Sequence, residues 1–196
     1  MVEIRIHGRG GQGVVTASDL IAYGAFAEGY YAQAFPSFGS ERTGAPIVSY
    51  CRIRSTKIRT REPVMYPDVV IVQDQTLLPI VDVFGGLKDD GYALINSRKS
   101  LEELGCADFA AQRPQGHVMT VPANSIAREY TGRTVPNAVL LGAFAALTGL
   151  CKFESVEAAI KQRFPGEVGE KNAAAAAAAY EYVIQKKQEA NDAATN

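Results

Sequence analysis

The chain has 196 residues, 47% hydrophobic and 21% charged, and 20 Lys and Arg against 21 Asp and Glu leave a net charge of −1. This composition excludes general disorder, and without a basic excess to neutralise phosphates it excludes a nonspecific nucleic-acid binder. A chain this long buries about 70% of its unfolded surface, so one domain needs neither disulfide nor metal to fold; it is expected over residues 1–190, with 191–196 as a frayed tail.

Val2, Ile4 and Ile6 alternate with Glu3, Arg5 and His7, the period of a strand. A glycine turn over Gly8–Gly13 follows. Val14 to Glu28 reads as a helix stopped by Gly29, and Tyr30 to Phe35 as the next strand. The unit has the length of a βαβ crossover, which predicts that the first two strands are parallel. Pro36 to Pro46 is a loop. Ile47 to Ile53 alternates again and is expected to pair with Lys57–Arg61 through a turn near Ser55.

Val69 to Gln73 is the apolar run of a strand buried on both faces. Thr76 to Phe84 is expected to be a short helix ended by Gly85-Gly86. Tyr92–Asn96 and Val118–Val121 read as strands, and Pro122–Tyr130 as a helix. Asn137 is a good N-cap for a helix to Leu150, followed by helices over Glu154–Phe164 and Ala173–Lys187, the last holding seven consecutive alanines. The whole is an α/β, Rossmann-like open sheet, mostly parallel, with helices on both faces.

Cys51, Cys106 and Cys151 lie far apart with no C-x-x-C pair, which fits reduced thiols in a cytoplasmic protein. The N-terminus shows no apolar signal core. The longest apolar stretch, Val135–Leu150, is shorter than the roughly 20 residues of a spanning helix, so no membrane role is expected.

Gly8-Arg9-Gly10-Gly11-Gln12-Gly13 satisfies G-x-G-x-x-G between a strand and a helix, where backbone N–H groups and the helix N-terminus favour an anion. The acidic residue that would hold a ribose about 20 positions on is missing, since Tyr31 to Phe35 carries none, which disfavours a dinucleotide. No Gly-Lys-Ser/Thr follows, so the turn is not a Walker A loop. The other reading is close strand–helix packing alone. Glu41, Arg42, Thr43 and Gly44, in the loop after the second strand, should lie near the turn, offering a carboxylate and a guanidinium fork to a ligand or subunit, or simply fixing the loop.

The turn His7–Gly13, the segment Gly39-Ser40-Glu41-Arg42-Thr43-Gly44-Ala45-Pro46, Pro67-Asp68-Val69-Val70, and Pro136-Asn137 with Leu141-Gly142-Ala143 together resemble the gamma subunit of 2-oxoacid:ferredoxin oxidoreductases, in order and spacing over nearly the whole chain. The glycine-to-proline segment is most like the pyruvate (pyruvate synthase) or branched-chain oxoacid form. The resemblance implies a holoenzyme that decarboxylates a 2-oxoacid on thiamine diphosphate with Mg2+. It further implies that electrons pass through [4Fe-4S] clusters to ferredoxin and that coenzyme A traps the acyl group. It implies alpha, beta and ferredoxin-like delta partners, with none of these cofactors held by this chain alone and no catalytic residue on it. By analogy Gly8, Gly10, Gly11, Gln12, Gly13, Glu41, Arg42, Thr43 and Gly44 supply the coenzyme A region and subunit contacts.

Among other residues, His7 reads as a hydrogen-bonded structural histidine and His117 as a residue at a strand entrance. Asp74 reads as a crevice residue or a helix cap, and Arg128, Arg133 and Asn137 as ligand or interface candidates. Lys186-Lys187 reads as a solvated helix end, and Tyr30, Tyr31, Phe35 and Phe38 as core or interface aromatics. The alternative to a catalytically silent enzyme subunit is a free-standing Rossmann-like nucleotide or phosphate binder.

Overall fold

The computed structural model describes residues 1–37 and 43–195. Six strands form one sheet in the order β2-β3-β1-β4-β5-β6. They are β1 (Val2–Arg9), β2 (Tyr31–Pro36), β3 (Pro46–Arg54), β4 (Val69–Val72), β5 (Tyr92–Asn96) and β6 (Val118–Val121). The helices are α1 (Val14–Ala27), α2 (Ala107–Ala111), α3 (Ala123–Thr131), α4 (Asn137–Thr148), α5 (Phe153–Arg163) and α6 (Glu167–Thr195).

β1, β4, β5 and β6 run parallel, with Ile6 beside Ile71 and Ile71 beside Leu94. β3 runs antiparallel between β1 and β2. The first two strands therefore point the same way, as expected of a crossover, but β3 separates them. The expected pairing of β3 with Lys57–Arg61 does not form: that segment is not a strand, and β3 is satisfied on both sides by β2 and β1. The expected helix over Thr76–Phe84 is a single 3-10 turn, Gln75–Leu77, followed by further turns. Pro79 lies just beyond it and cannot supply the N–H that continued helix would need.

Period-two alternation sends Ile4, Ile6, Val69, Ile71 and Leu94 to one face, where α1 and α3–α6 build the main core. Val70, Val72, Ala93 and Ile95 face a smaller cluster with Leu77, Val83, Cys106 and Phe109, over which α2 lies. Helices thus cover both faces unequally.

α6 begins before the alanine run and continues past Lys187. Its alanines let the helix lie close against α4: a Cβ added at Gly142 would collide with the Ala176 carbonyl. Lys187 is not simply solvated, because its ammonium reaches the Ala146 and Leu147 carbonyls at 3.3 Å and caps the end of α4.

β1 also anchors two loops. The buried Arg5 guanidinium donates to the carbonyls of Val64, Val83 and Gly85, and Glu3 pairs with the buried Arg52 at 2.8 Å.

Candidate functional site

The parallel strands β1 and β4 are neighbours at the point where the chain's connections diverge, toward β2–β3 on one side and β5–β6 on the other. Ligands of open α/β sheets bind at the carboxyl ends of strands at such a point. The glycine turn occupies that position. Gly13 has φ 74° and precedes α1, a conformation that favours glycine. A Cβ on it would also stand 2.6 Å from Asn137 Nδ2, so α4 presses against the turn. At Gly8 a Cβ would meet Val14 at 2.5 Å, which ties the strand end to the helix start. Close packing and an accessible helix N-terminus are therefore both built into this sequence, rather than one excluding the other.

Arg9 is the hub. Its guanidinium donates to Asp74 Oδ2 at 3.2 Å, to Thr76 Oγ1 at 2.8 Å and to the Gly44 carbonyl at 3.0 Å. Gln12 folds back, accepting from the Arg9 amide at 2.8 Å and donating to Asp74 Oδ2 at 2.9 Å. Gly10 and Gly44 continue the β1–β3 ladder: the Gly10 amide donates to the Ala45 carbonyl and the Gly44 amide to the Gly10 carbonyl. The end of the second loop does lie against the glycine turn, as the sequence predicts, and it gets there because β3 returns alongside β1. Thr43 and Gly44 are in place; Glu41 and Arg42 lie outside the described residues.

Asp74 serves in both of its expected capacities. It caps the 3-10 turn through the Thr76 amide at 2.9 Å and faces the crevice as Arg9's partner. Partial burial opposes its charge. The Thr76 hydroxyl, Gln12 and the Thr76 amide, with Arg9 alongside, outweigh that and hold its carboxyl below the usual aspartate range.

Two clefts flank the turn. One of about 460 Å³ is lined by Gly10, Gly11, Gly13, the first turn of α1 (Val14, Val15, Thr16), Thr43 and Ile47. Among the described residues no side chain caps α1, and no acidic residue sits in its first turn. The positive end of the helix lines this cleft. The other, of about 360 Å³, lies across the ends of β4 and β5, between Gln12, Gln73, Asn96, Ser97, Lys99 and the start of α3 at Asn124. Gln73 is 1% exposed, and neither its amide oxygen nor its amide nitrogen has a partner among the described residues. Asn96 is held by donating to the Gln73 carbonyl at 2.8 Å and accepting from the Asn124 amide at 3.2 Å. An unmet buried amide beside Arg98 and Lys99 suits a polar, anionic ligand.

The reading from sequence missed Gln73, Asn96, Ser97 and Lys99. The signal for them is the first polar residue after each buried strand, which marks a carboxyl end only once the strands are known to be parallel.

His7 is buried and structural, but among the described residues its Nε2 has no hydrogen-bond partner, where the sequence leads one to expect one. Burial, reinforced by Arg5, pushes its pKa down to about 4, so it is neutral at physiological pH. His117 stacks on Tyr92 with ring centroids 4.0 Å apart and bonds the Asp90 carbonyl at 3.0 Å. Asn137 is the first residue of α4 rather than its cap, and Pro136 takes the capping position. The cysteines are buried; burial, with Glu28 adding to it, pushes the Cys151 thiol up to about 12, and burial raises Cys51 and Cys106 as well. Among the described residues no cluster of three metal-ligating side chains occurs, and no helix is long and apolar enough to cross a membrane.

Residues 3–182 match the family model described as pyruvate ferredoxin/flavodoxin oxidoreductase. The chain is 50% identical to the pyruvate/ketoisovalerate oxidoreductases common subunit gamma of Pyrococcus furiosus, over 92% of this chain and 96% of that one. It is 48% identical to pyruvate synthase subunit PorC of Methanothermobacter thermautotrophicus, over 93% of this chain and 96% of that one. The crystal structure of pyruvate oxidoreductase subunit PORC from Thermotoga maritima superposes with a TM-score of 0.77 at 38% identity, covering 92% of this chain and 95% of that one.

Proposed function

The chain belongs to the pyruvate ferredoxin/flavodoxin oxidoreductase family, and from that premise we propose that its glycine turn and the adjoining crevice form part of the coenzyme A region of an assembled enzyme. The chain is a gamma-type subunit of a multi-subunit 2-oxoacid oxidoreductase, as its relatives are. Their names favour this over a free-standing nucleotide binder. Pyruvate or a related 2-oxoacid is the substrate that the relatives' names support.

The observation that carries the reading is the uncapped start of α1 opening beside Thr43 and Gly11, one strand away from the unmet amide of Gln73. These residues suit a phosphate-rich ligand. The first-turn amides of α1 face an anion, Lys99 adds a point charge, and Gln73 offers one donor and one acceptor. Coenzyme A, when bound, supplies the thiol that accepts the acyl group. This chain's residues bind and orient its phosphate-bearing part and supply no proton or electron. Arg9 and Gln12 are spent on Asp74 and Gly44, so they position the turn rather than meet the ligand. Gly8 and Gly13 likewise act by letting the backbone approach, and Gly10 by joining the turn to the second loop.

In this reading thiamine diphosphate with Mg2+ and the [4Fe-4S] clusters sit on the alpha, beta and delta chains. Ferredoxin meets the holoenzyme, and the assembly is cytoplasmic. The three cysteines, Cys51, Cys106 and Cys151, have no cluster-type spacing in the sequence, which supports placing the clusters elsewhere.

The test is steady-state kinetics of the assembled enzyme carrying Arg42→Ala or Lys99→Ala. Each is expected to raise the KM for coenzyme A about tenfold, the order of one lost charge-assisted contact, with the KM for the oxoacid unchanged. Unchanged coenzyme A dependence in both variants, with intact assembly, would overturn the reading.

A further inference from the structure

β2 ends the sheet and pairs with β3 on one side only among the described residues. Its sequence, Tyr-Ala-Gln-Ala-Phe-Pro, carries no charge. Edge strands in soluble proteins are normally blunted by lysines, bulges or covering segments, because their unpaired N–H and C=O groups invite another strand. β2 has no blunting charge along its six residues, and its one proline is at the end. Beside its start, large apolar side chains are left in solvent: Tyr23 and Phe26 from the end of α1, then Tyr30 and Tyr31, the four being 42–70% exposed.

The same edge is bordered by positive charge. Arg54 pairs in register with Tyr31, and Arg61 lines a groove with Gln33, Phe35, Pro36 and Tyr50. Lys57 and Arg59 lie between them in the chain. All four cations are exposed, and among the described residues none engages a carboxylate. The cluster stands out on a chain whose net charge is −1. In the groove, Gln33 Oε1 is buried without a donor among the described residues.

We propose that the β2 edge is a docking site for an extended, acidic segment of a partner subunit, which adds as a seventh strand with its carboxylates toward Arg54 and Arg61. The inference rests on the gamma-subunit reading, since it requires a partner chain. The unpaired backbone selects a polypeptide, because only an extended peptide completes a sheet ladder. The four cations, which engage no carboxylate among the described residues, select acidic side chains and oppose a second copy of this chain, which would bring its own cations to the same edge.

The experiment uses the complete assembly. A Tyr31→p-benzoylphenylalanine chain is photolysed in the complex, and the cross-linked peptide is identified. In parallel, Arg54→Glu/Arg61→Glu is compared with the charge-matched control Lys171→Glu/Lys186→Glu on α6 for retention of partner subunits. The expected result is a cross-link to a partner segment rich in Asp and Glu, and about tenfold weaker retention for the β2-side variant only. A cross-link to another copy of this chain or to a segment without acidic excess, no cross-link within an intact complex, or equal retention of both variants would overturn the docking site while leaving the subunit reading intact. Failure of the unsubstituted chain to recover any partner subunit would overturn both.

Discussion

β4 and β2 belong to one sheet and meet opposite conditions. β4 has a strand on each side and helices or turns on both faces, and all four of its residues are buried. Among the described residues β2 has one neighbour, and none of its six residues is fully buried. The parallel wing, β4 to β6, is held by apolar burial. The antiparallel wing, β2 and β3, adds polar ties to its share of the core, such as Arg52 with Glu3 and with the Phe35 ring 5.3 Å away. The glycine turn stands on the boundary between the wings, fixed to both through Arg9, which reaches Asp74 on one side and Gly44 on the other.

The sharpest way to break that contrast is to cut into β4. Ile71→Ala removes a side chain 1% exposed and should cost about 4 kcal/mol in the isolated chain, by chemical denaturation. A cost below about 1 kcal/mol would show that the parallel wing is not the stabilising core.

Next is the boundary. His7 titrates near 6.5 when unfolded and near 4 when folded, so between these values the unfolded chain binds more protons. The stability contribution is complete above pH 6.5 and is lost as pH falls toward 4, by about 3 kcal/mol. The measurement is denaturation midpoint against pH for the wild type and His7→Leu, whose curve should be flatter over that window. Parallel curves would contradict the burial of a neutral histidine.

In the antiparallel wing, Glu3→Ala leaves the Arg52 guanidinium buried without its carboxylate and should cost about 2 kcal/mol, less than a fully buried pair because Glu3 is partly solvated. The smallest effect belongs to Tyr31→Ala. In the free chain it should change stability by under about 0.5 kcal/mol, as for an exposed site, yet weaken retention in the complex. A large loss in the free chain would mean that β2 is core rather than interface.

Much of this architecture was legible from local pattern. The alternation in Val2–Ile6, the continuous apolar run at Val69–Val72 and the glycine turn between strand and helix each dictate their element. What failed depends on distant partners. A local pattern pairs β3 with its sequence neighbour because it does not show that β1 and β2 flank it. Lys187 reads locally as a solvated end because the carbonyls it caps lie on another helix. Only half of the candidate site could be read for the same reason: glycines at a helix start announce themselves, whereas Gln73 and Asn96 gain meaning only from the parallel order of β1, β4 and β5.

The central claim is that the cleft between the glycine turn and the ends of β4 and β5 meets coenzyme A. Amide hydrogen exchange of the assembled enzyme, with and without coenzyme A, tests it directly. The account predicts slowed exchange at the first turn of α1 and at residues 73–76 when the coenzyme is present. Unchanged exchange in both segments, with protection confined to other parts of the assembly, would contradict it.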